Sequence, residues 1–264
     1  MLTLTANLEL NFPDITAFPA RIEAARAAGF DQVDLWTTFD KDLPAIRSAL
    51  EATGTRLMSV LAEPRTDVAW PDADLEAFFG GLERTVENAR SLGAPFVIVD
   101  SGLGFPGQSR RVQLDRLAEV YARAVERIRG SGITVLLESV NTRVDHPGLL
   151  LDRNADCQEL IRAVDDPSLR WLYDAYHSFC EGEDFAAELA AGADLLACVH
   201  LADAPGRQEP GTGAVDWSRW LDALVATGYS GSVQLEFVPS TDFPSAVAVI
   251  RSLIQAVNLA TAGA

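Results

Sequence analysis

Short apolar runs alternate with longer amphipathic segments along the whole chain. The runs lie at about 3–8, 32–36, 56–61, 95–100, 133–138, 169–174, 195–200 and 232–237. Each reads as a buried strand. Between them, segments such as ITAFPARIEAARAAGF and LDRLAEVYARAVERIRG repeat apolar residues at three- and four-residue spacing. That is the period of a helix with one buried face. Gly29, Gly54, Gly93, Gly132, Gly192 and Gly228 fall where these helices should end, as C-terminal caps do. Asn154 and Asp216 stand where they would cap the starts of two helices.

Eight strand–helix units in 264 residues match the size of a (β/α)₈ barrel, roughly 250 residues. A doubly wound open sheet usually carries GxGxxG after its first strand, and ANLELNFPD stands there instead. No linker, low-complexity tract or charge block divides the chain. Residues 1–264 are therefore expected to form one α/β domain, a single (β/α)₈ TIM barrel.

Chemistry in such a barrel sits at the C-terminal ends of the strands. The fifth run, ITVLLE, ends at Glu138, and the sixth, LRWLYD, at Asp174; the seventh ends at His200 and the eighth, SVQLE, at Glu236. A buried carboxylate without a partner is costly, so four converging groups of this kind need a counter-charge. Arginines at the barrel rim could supply it. A divalent cation is the better match, because three carboxylates and an imidazole suit Mg²⁺ or Mn²⁺, with Co²⁺ tolerated. A structural zinc site would recruit cysteines, and none of Cys157, Cys180 and Cys198 ends a strand.

The loops beyond these ends carry donors suited to substrate oxygens. Asn141 and Arg143 follow Glu138, His177 follows Asp174, and Arg207 and Glu209 follow His200. Arg207 is the candidate for a substrate carboxylate, since guanidinium can grip it with two parallel bonds. For Arg143 and Arg207 the alternative is a salt bridge within the loops. His146, beside Pro147, reads as a surface residue. The Gly-Thr-Gly of EPGTG lacks the GxxxxGK[ST] pattern of a phosphate loop and reads as a tight turn beside the site.

Composition narrows the partners. A formal net charge of −17 argues against nucleic acid and anionic membrane surfaces. No apolar run approaches the ~18 residues of a membrane span, and MLTLTANLELNF does not read as a signal peptide. Three cysteines without CxxC spacing suggest reduced thiols in a cytoplasm. The expected partner is a small molecule.

At these residues the chain resembles the hydroxypyruvate isomerase family, within the wider group of xylose-isomerase-like barrels. The matching pieces are LLESVNTRVDHPGLLL, LYDAYHSFCEGED, HLADAPGRQEPGTG and LEF, with ANLELNF and AARAAGFDQVDLW in the first half. The string ADAPGRQEPGTG is the most specific, because it separates this subgroup from ketose 3-epimerases and inosose dehydratases. His200 stands where relatives often carry Gln, as in the 3-epimerases. The loops AEPRTDVAWPD and SGLGFPGQS depart from the family pattern, which leaves the substrate open.

The resemblance implies a metal held by Glu138, Asp174, His200 and Glu236, with Glu138 and Glu236 also the acid–base pair. Such an enzyme makes the C–H beside a carbonyl more acidic and moves the proton between two glutamates through an enediolate. Homo-oligomerisation is a further implication. Lys41, the only lysine, is read as lying away from any strand end, which argues against a Schiff-base aldolase. Three histidines are too few for the multi-zinc cluster of DNA-repair endonucleases on this barrel. A ketose 3-epimerase, a 2-oxo-tetronate isomerase and a non-catalytic acid- or sugar-binding barrel are the alternatives.

Overall fold

The alternation folds as read. The computed structural model describes residues 1–262. Its strands are β1 (Thr3–Asn7), β2 (Gln32–Asp34), β3 (Arg56–Leu57), β4 (Ser59–Leu61), β5 (Phe96–Val99), β6 (Thr134–Glu138), β7 (Leu169–Asp174), β8 (Leu196–Leu201) and β9 (Ser232–Leu235). All pairings are parallel, in the order β3-β2-β1-β9-β8-β7-β6-β5-β4. β3 and β4 are two pieces of one barrel strand, parted at Met58. Across that seam Met58 N–H donates to Val33 O, and Leu35 N–H to Ser59 O. The order thus closes on itself, and the result is the expected TIM barrel.

Helices return the chain outside the ring: α1 (Phe18–Ala27), α2 (Leu43–Thr53), α3 (Leu75–Leu92), α4 (Arg110–Arg127) and α5 (Asn154–Val164). They are followed by α6 (Ala175–Glu181), α7 (Phe185–Ala191), α8 (Trp217–Ala226), α9 (Phe243–Ala246) and α10 (Ala248–Ala262). Asp216 caps α8 as expected, accepting from Arg219 N–H at 3.1 Å. Gly54 and Gly93 end α2 and α3 in the left-handed conformation. Two expectations fail. The N-cap of α5 is Arg153, and Asn154 instead spends its side chain on Ser139, Trp171 and Glu183 inside the fold. Gly132 lies in the turn after α4, whose C-cap is Ile128.

Strand periodicity places the site. Along β7 the side chains of Trp171 and Tyr173 join the large core shared with the helices, while Leu172 faces the barrel interior. Inside, Ile98, Leu136, Leu172 and Cys198 form a small apolar cluster of their own. The other side of the interior is polar: Thr5 bonds Gln32 and Ser232, and Ser59 bonds Gln234. Two residues further along each strand the same inward face reaches the rim. From Leu136, Leu172, Cys198 and Gln234 that step gives Glu138, Asp174, His200 and Glu236.

Candidate active site

The four strand-end groups converge. His200 Nδ1 lies 3.5 Å from Glu138 Oε1, 3.9 Å from Asp174 Oδ2 and 3.5 Å from Glu236 Oε2. All four residues are at least nine-tenths buried. Neither His200 Nδ1 nor Glu138 Oε1 has a hydrogen-bond partner among the described residues. Such orphaned polar atoms are costly unless something occupies the space between them. Two boundaries shift slightly from expectation: β8 runs one residue past His200, and Glu236 follows the end of β9. Glu236 N–H still donates to Leu201 O, which keeps it in register.

A second imidazole stands beside this set. Glu138, Asp174, His177 and Glu236 each offer a ligand atom within 4.8 Å of the others. The two histidines nevertheless differ in chemistry. His177 Nδ1 lies 3.2 Å from the backbone N–H of Asn141 and 2.6 Å from its side-chain amide. A backbone N–H can only donate, so Nδ1 accepts and the proton sits on Nε2. Nε2 lies 3.9 Å from Asp174 and is a donor, not a ligand. For His200 the pattern is reversed. Its Nε2 lies 2.6 Å from Gln234 Oε1, so the proton sits there and the Nδ1 lone pair faces the carboxylates. Three carboxylate oxygens and this nitrogen form a donor set that a divalent cation such as Mg²⁺ or Mn²⁺ fits.

The electrostatics express the crowding. Burial disfavours the charged form of Asp174 and pushes its pKa up to about 6, with Glu236 adding to the shift. Burial acts the same way on Glu236, but Arg207 and His200 overcome it and hold that carboxyl well below its usual range. Burial brings His177 down to about 4, so it is neutral at pH 7. His200 moves the other way against burial, because Glu236, then Cys198 and Glu138, outweigh it. Without a cation these carboxylates favour a proton on Nδ1, which a bound cation would displace to reach the lone pair.

Glu236 is also clamped. Its Oε1 accepts from Trp36 Nε1 at 3.1 Å, and its Oε2 from Arg207 at 2.6 Å. The Arg207 guanidinium lies 5.2 Å from the Tyr176 ring centre. Arg207 adopts φ 52°, a left-handed conformation that costs a non-glycine residue about 1–2 kcal/mol. The loop around it makes that tolerable. Asp203, fully buried, accepts from the N–H groups of Ala204, Gly211 and Val215 and from Trp217 Nε1. Gly213 passes so close to Ala204 O and Asp203 Oδ1 that a Cβ would lie 2.4–2.5 Å from them.

Above the cluster opens a cavity of about 410 Å³, bordered by Glu138, His177, Arg207 and Glu236 among others. Other expected donors are elsewhere. Arg143 is ion-paired to Glu181 at 3.0 Å, outside the cavity lining. Glu209 is bound to Ser240 through both of its oxygens and also lies outside that lining. Asn141 orients His177 from behind. His146, read as a surface residue, borders the cavity 5.4 Å from the His177 ring. Lys41 is not remote from strand ends: it pairs with Glu9, just beyond β1, at 3.2 Å, and Glu9 accepts from Trp36 N–H.

A sequence model described as xylose isomerase-like TIM barrel matches residues 22–253. The chain belongs to the xylose isomerase-like TIM barrel family. Hydroxypyruvate isomerase of Escherichia coli (strain K12) is 27% identical over 249 residues, covering 91% of this chain and 95% of that one. 2-Oxo-tetronate isomerase of Cupriavidus necator is 28% identical over 242 residues, covering 89% and 92%. Among solved structures, an AP endonuclease, family 2, from Brucella melitensis superimposes with a TM-score of 0.87 at 24% identity, covering 96% and 99%. At that identity the last likeness speaks for the fold alone.

Proposed function

We propose that this member of the family is a metal-dependent isomerase of a small α-hydroxy-carbonyl compound, of the hydroxypyruvate type. The observation that carries the reading is the unpartnered His200 Nδ1 facing Glu138, Asp174 and Glu236 at 3.5–3.9 Å. In this reading the four residues hold Mg²⁺ or Mn²⁺, with Co²⁺ also suited to them. When bound, the cation withdraws electrons from the substrate carbonyl and acidifies the neighbouring C–H. The relatives named for hydroxypyruvate and 2-oxo-tetronate isomerisation support the reaction class.

The residues divide the remaining work. Glu236, held ionised between Trp36 and Arg207, takes the proton from one carbon. Glu138, whose Oε1 carries no hydrogen bond, exchanges a proton with the neighbouring carbon. Neutral His177 presents Nε2–H to a substrate oxygen. Arg207 is placed to share its charge between Glu236 and a substrate carboxylate. The test is turnover of hydroxy-carbonyl acids and free ketoses with Mg²⁺, Mn²⁺ or no added metal. Metal-dependent interconversion of such a pair supports the reading, and its absence across the panel overturns it. A second reading, 3-epimerisation of a ketose by the same two bases, is favoured by one observation: the cavity extends well beyond the carboxylate cluster.

A further inference from the structure

Glu236 is held by two donors that come from different loops. Trp36 Nε1 donates to Oε1 at 3.1 Å, and Arg207 donates to Oε2 at 2.6 Å. Each oxygen of the proposed base thus has one fixed partner, which sets the direction of the lone pairs that remain. Trp36 lies two residues past the end of β2, so its own bracing matters. Its carbonyl accepts from Leu61 N–H at 2.8 Å. Its N–H does not follow the sheet. Leu8 N–H donates to Asp34 O, and the next rung of a parallel ladder would take Trp36 N–H to Leu8 O. Leu8 O accepts instead from Arg21 at 2.6 Å, and Trp36 N–H goes to Glu9 Oε2 at 2.9 Å. A side chain has replaced a rung of the sheet.

Glu9 is fixed in turn. Lys41 Nζ lies 3.2 Å from Glu9 Oε1, and the two side chains are only 6% and 13% exposed. Lys41 also meets Asp40 at 3.1 Å. Its ammonium lies 4.4 Å from the ring centre of Phe18, the first residue of α1, close enough for the ring face to attract it. A nearly buried ion pair is weak ground for stability, because desolvation offsets the attraction, and its best-attested use is to select one arrangement among several. Here the pair gathers the loop after β1, the stretch before α2 and the start of α1 around one backbone N–H. An apolar pair of similar volume would pack as well, but it would leave Trp36 N–H without that acceptor.

We propose that Glu9 and Lys41 are positioning residues: the pair fixes Trp36 so that its indole holds the Glu236 carboxylate in the orientation proton transfer needs. The effect on turnover rests on the isomerase reading, whereas the bracing of Trp36 does not. The only lysine of the chain thereby acts on the reaction through a carboxylate, a backbone N–H and an indole, without touching substrate.

The test reads the indole N–H resonances of the five tryptophans in ¹⁵N-labelled protein with Mg²⁺ present. Trp36→Phe identifies the Trp36 signal by deleting it. Glu9→Leu combined with Lys41→Met removes both charges at similar volume, a kind of exchange that folded proteins often tolerate. In that variant the Trp36 N–H is expected to move upfield and to exchange with water about tenfold faster, the equivalent of one net hydrogen bond. The other indole signals should stay in place, which shows the barrel intact. Glu9→Asp keeps the charge pair but draws the carboxylate back from Trp36. It should shift the signal the same way by less, and it takes over the test if the double variant does not fold. An unmoved Trp36 signal in a folded variant overturns the proposal. Kinetics then tests the coupling. Trp36→Phe and the Glu9→Leu, Lys41→Met variant should each lower kcat by about tenfold with KM within about twofold. All three changes together should cost no more than either, because both act through one hydrogen bond. Losses that multiply show a separate route and also overturn the proposal. If the Trp36 signal moves as expected but no hydroxy-carbonyl compound is turned over, the bracing of Trp36 stands and the isomerase reading falls.

Discussion

The two halves of the barrel rim solve the same problem differently. Along the first strands, buried or half-buried carboxylates find their partners within the protein: Glu9 has Lys41, Asp34 has Asn7, Asp100 has Arg65 and Glu63 has Thr37. Along β6 to β9, three carboxylates and an imidazole face one another, and Arg207 satisfies only Glu236. In the first half Glu9 and Asp100 each meet a cation, Lys41 and Arg65, while Asp34 and Glu63 are held by neutral groups and Asp34 Oδ1 has no partner among the described residues. The second half has a deficit of positive charge that a divalent ion removes. Counting carboxylates would not separate them; the convergence of several on one imidazole nitrogen does.

Removing divalent ions should break this contrast most strongly. Chelation is expected to abolish turnover, because the second half loses its counter-charge. An ion held at 100 times its dissociation constant stabilises the native state by about 2.7 kcal/mol, which in a chain of this size lowers the melting temperature by about 5–10 °C on removal. Mn²⁺ or Mg²⁺ should restore both quantities. Unchanged melting and turnover after exhaustive dialysis against EDTA would falsify the ligand assignment.

The next effect separates the two glutamates from mere ligands. Glu138→Gln and Glu236→Gln keep the shape and one oxygen donor but cannot take up a proton at neutral pH. Each is expected to lower kcat by about 10²–10⁴ at saturating Mn²⁺, with metal occupancy measured directly. A fully metallated variant turning over at the wild-type rate removes that glutamate from the mechanism.

The first half has its own test. Lys41→Met removes the partner of Glu9 and should cost about 2 kcal/mol of unfolding free energy at pH 7, with little effect on metal affinity. Burial already holds the Glu9 carboxyl above its usual 4.5, against the pull of Trp36 and Lys41. A raised acid takes up its proton more readily in the folded state, so folding gains relative stability as pH falls through that range. The cost of Lys41→Met should therefore fade as Glu9 protonates, readable from urea melts at several pH values. A cost that does not change with pH contradicts the pairing.

The smallest expected effect concerns Arg207, which bridges protein and substrate. Arg207→Lys should raise KM for a keto acid by about tenfold, because an ammonium cannot reproduce the planar fork, and should matter less for an uncharged ketose. Equal losses on both would confine Arg207 to holding Glu236.

The contrast also explains what could be read from the chain. The strands of the second half are four to six residues long and carry a polar group at or within one residue of their ends after an apolar run, so their tips stand out. In the first half, β2 has three residues and the third barrel strand is split at Met58. Asn7 and Asp34 do end β1 and β2, but Glu9, Glu63 and Asp100 lie one or two positions past the strand ends, inside loops that look solvated. Trp36 meets Glu236 across 200 positions of sequence, and no local pattern announces such a pairing. Nor does composition tell His146 from a surface histidine, or Glu209 from a substrate contact. Asp203 offered a faint signal, as an acid just beyond a strand and ahead of several turn residues. Its four donors become visible only once the loop is folded.

That loop bears on how the enzyme can be re-engineered. With its turns fastened to a single carboxylate, and Gly213 leaving no room for a side chain, the stretch from Asp203 to Trp217 behaves as an indivisible cassette. Trading part of it with a homologue strands donors, whereas transplanting it whole carries its own fastening along. The segments after β4 and β5 have no such single anchor, and they are the places to graft a new substrate preference.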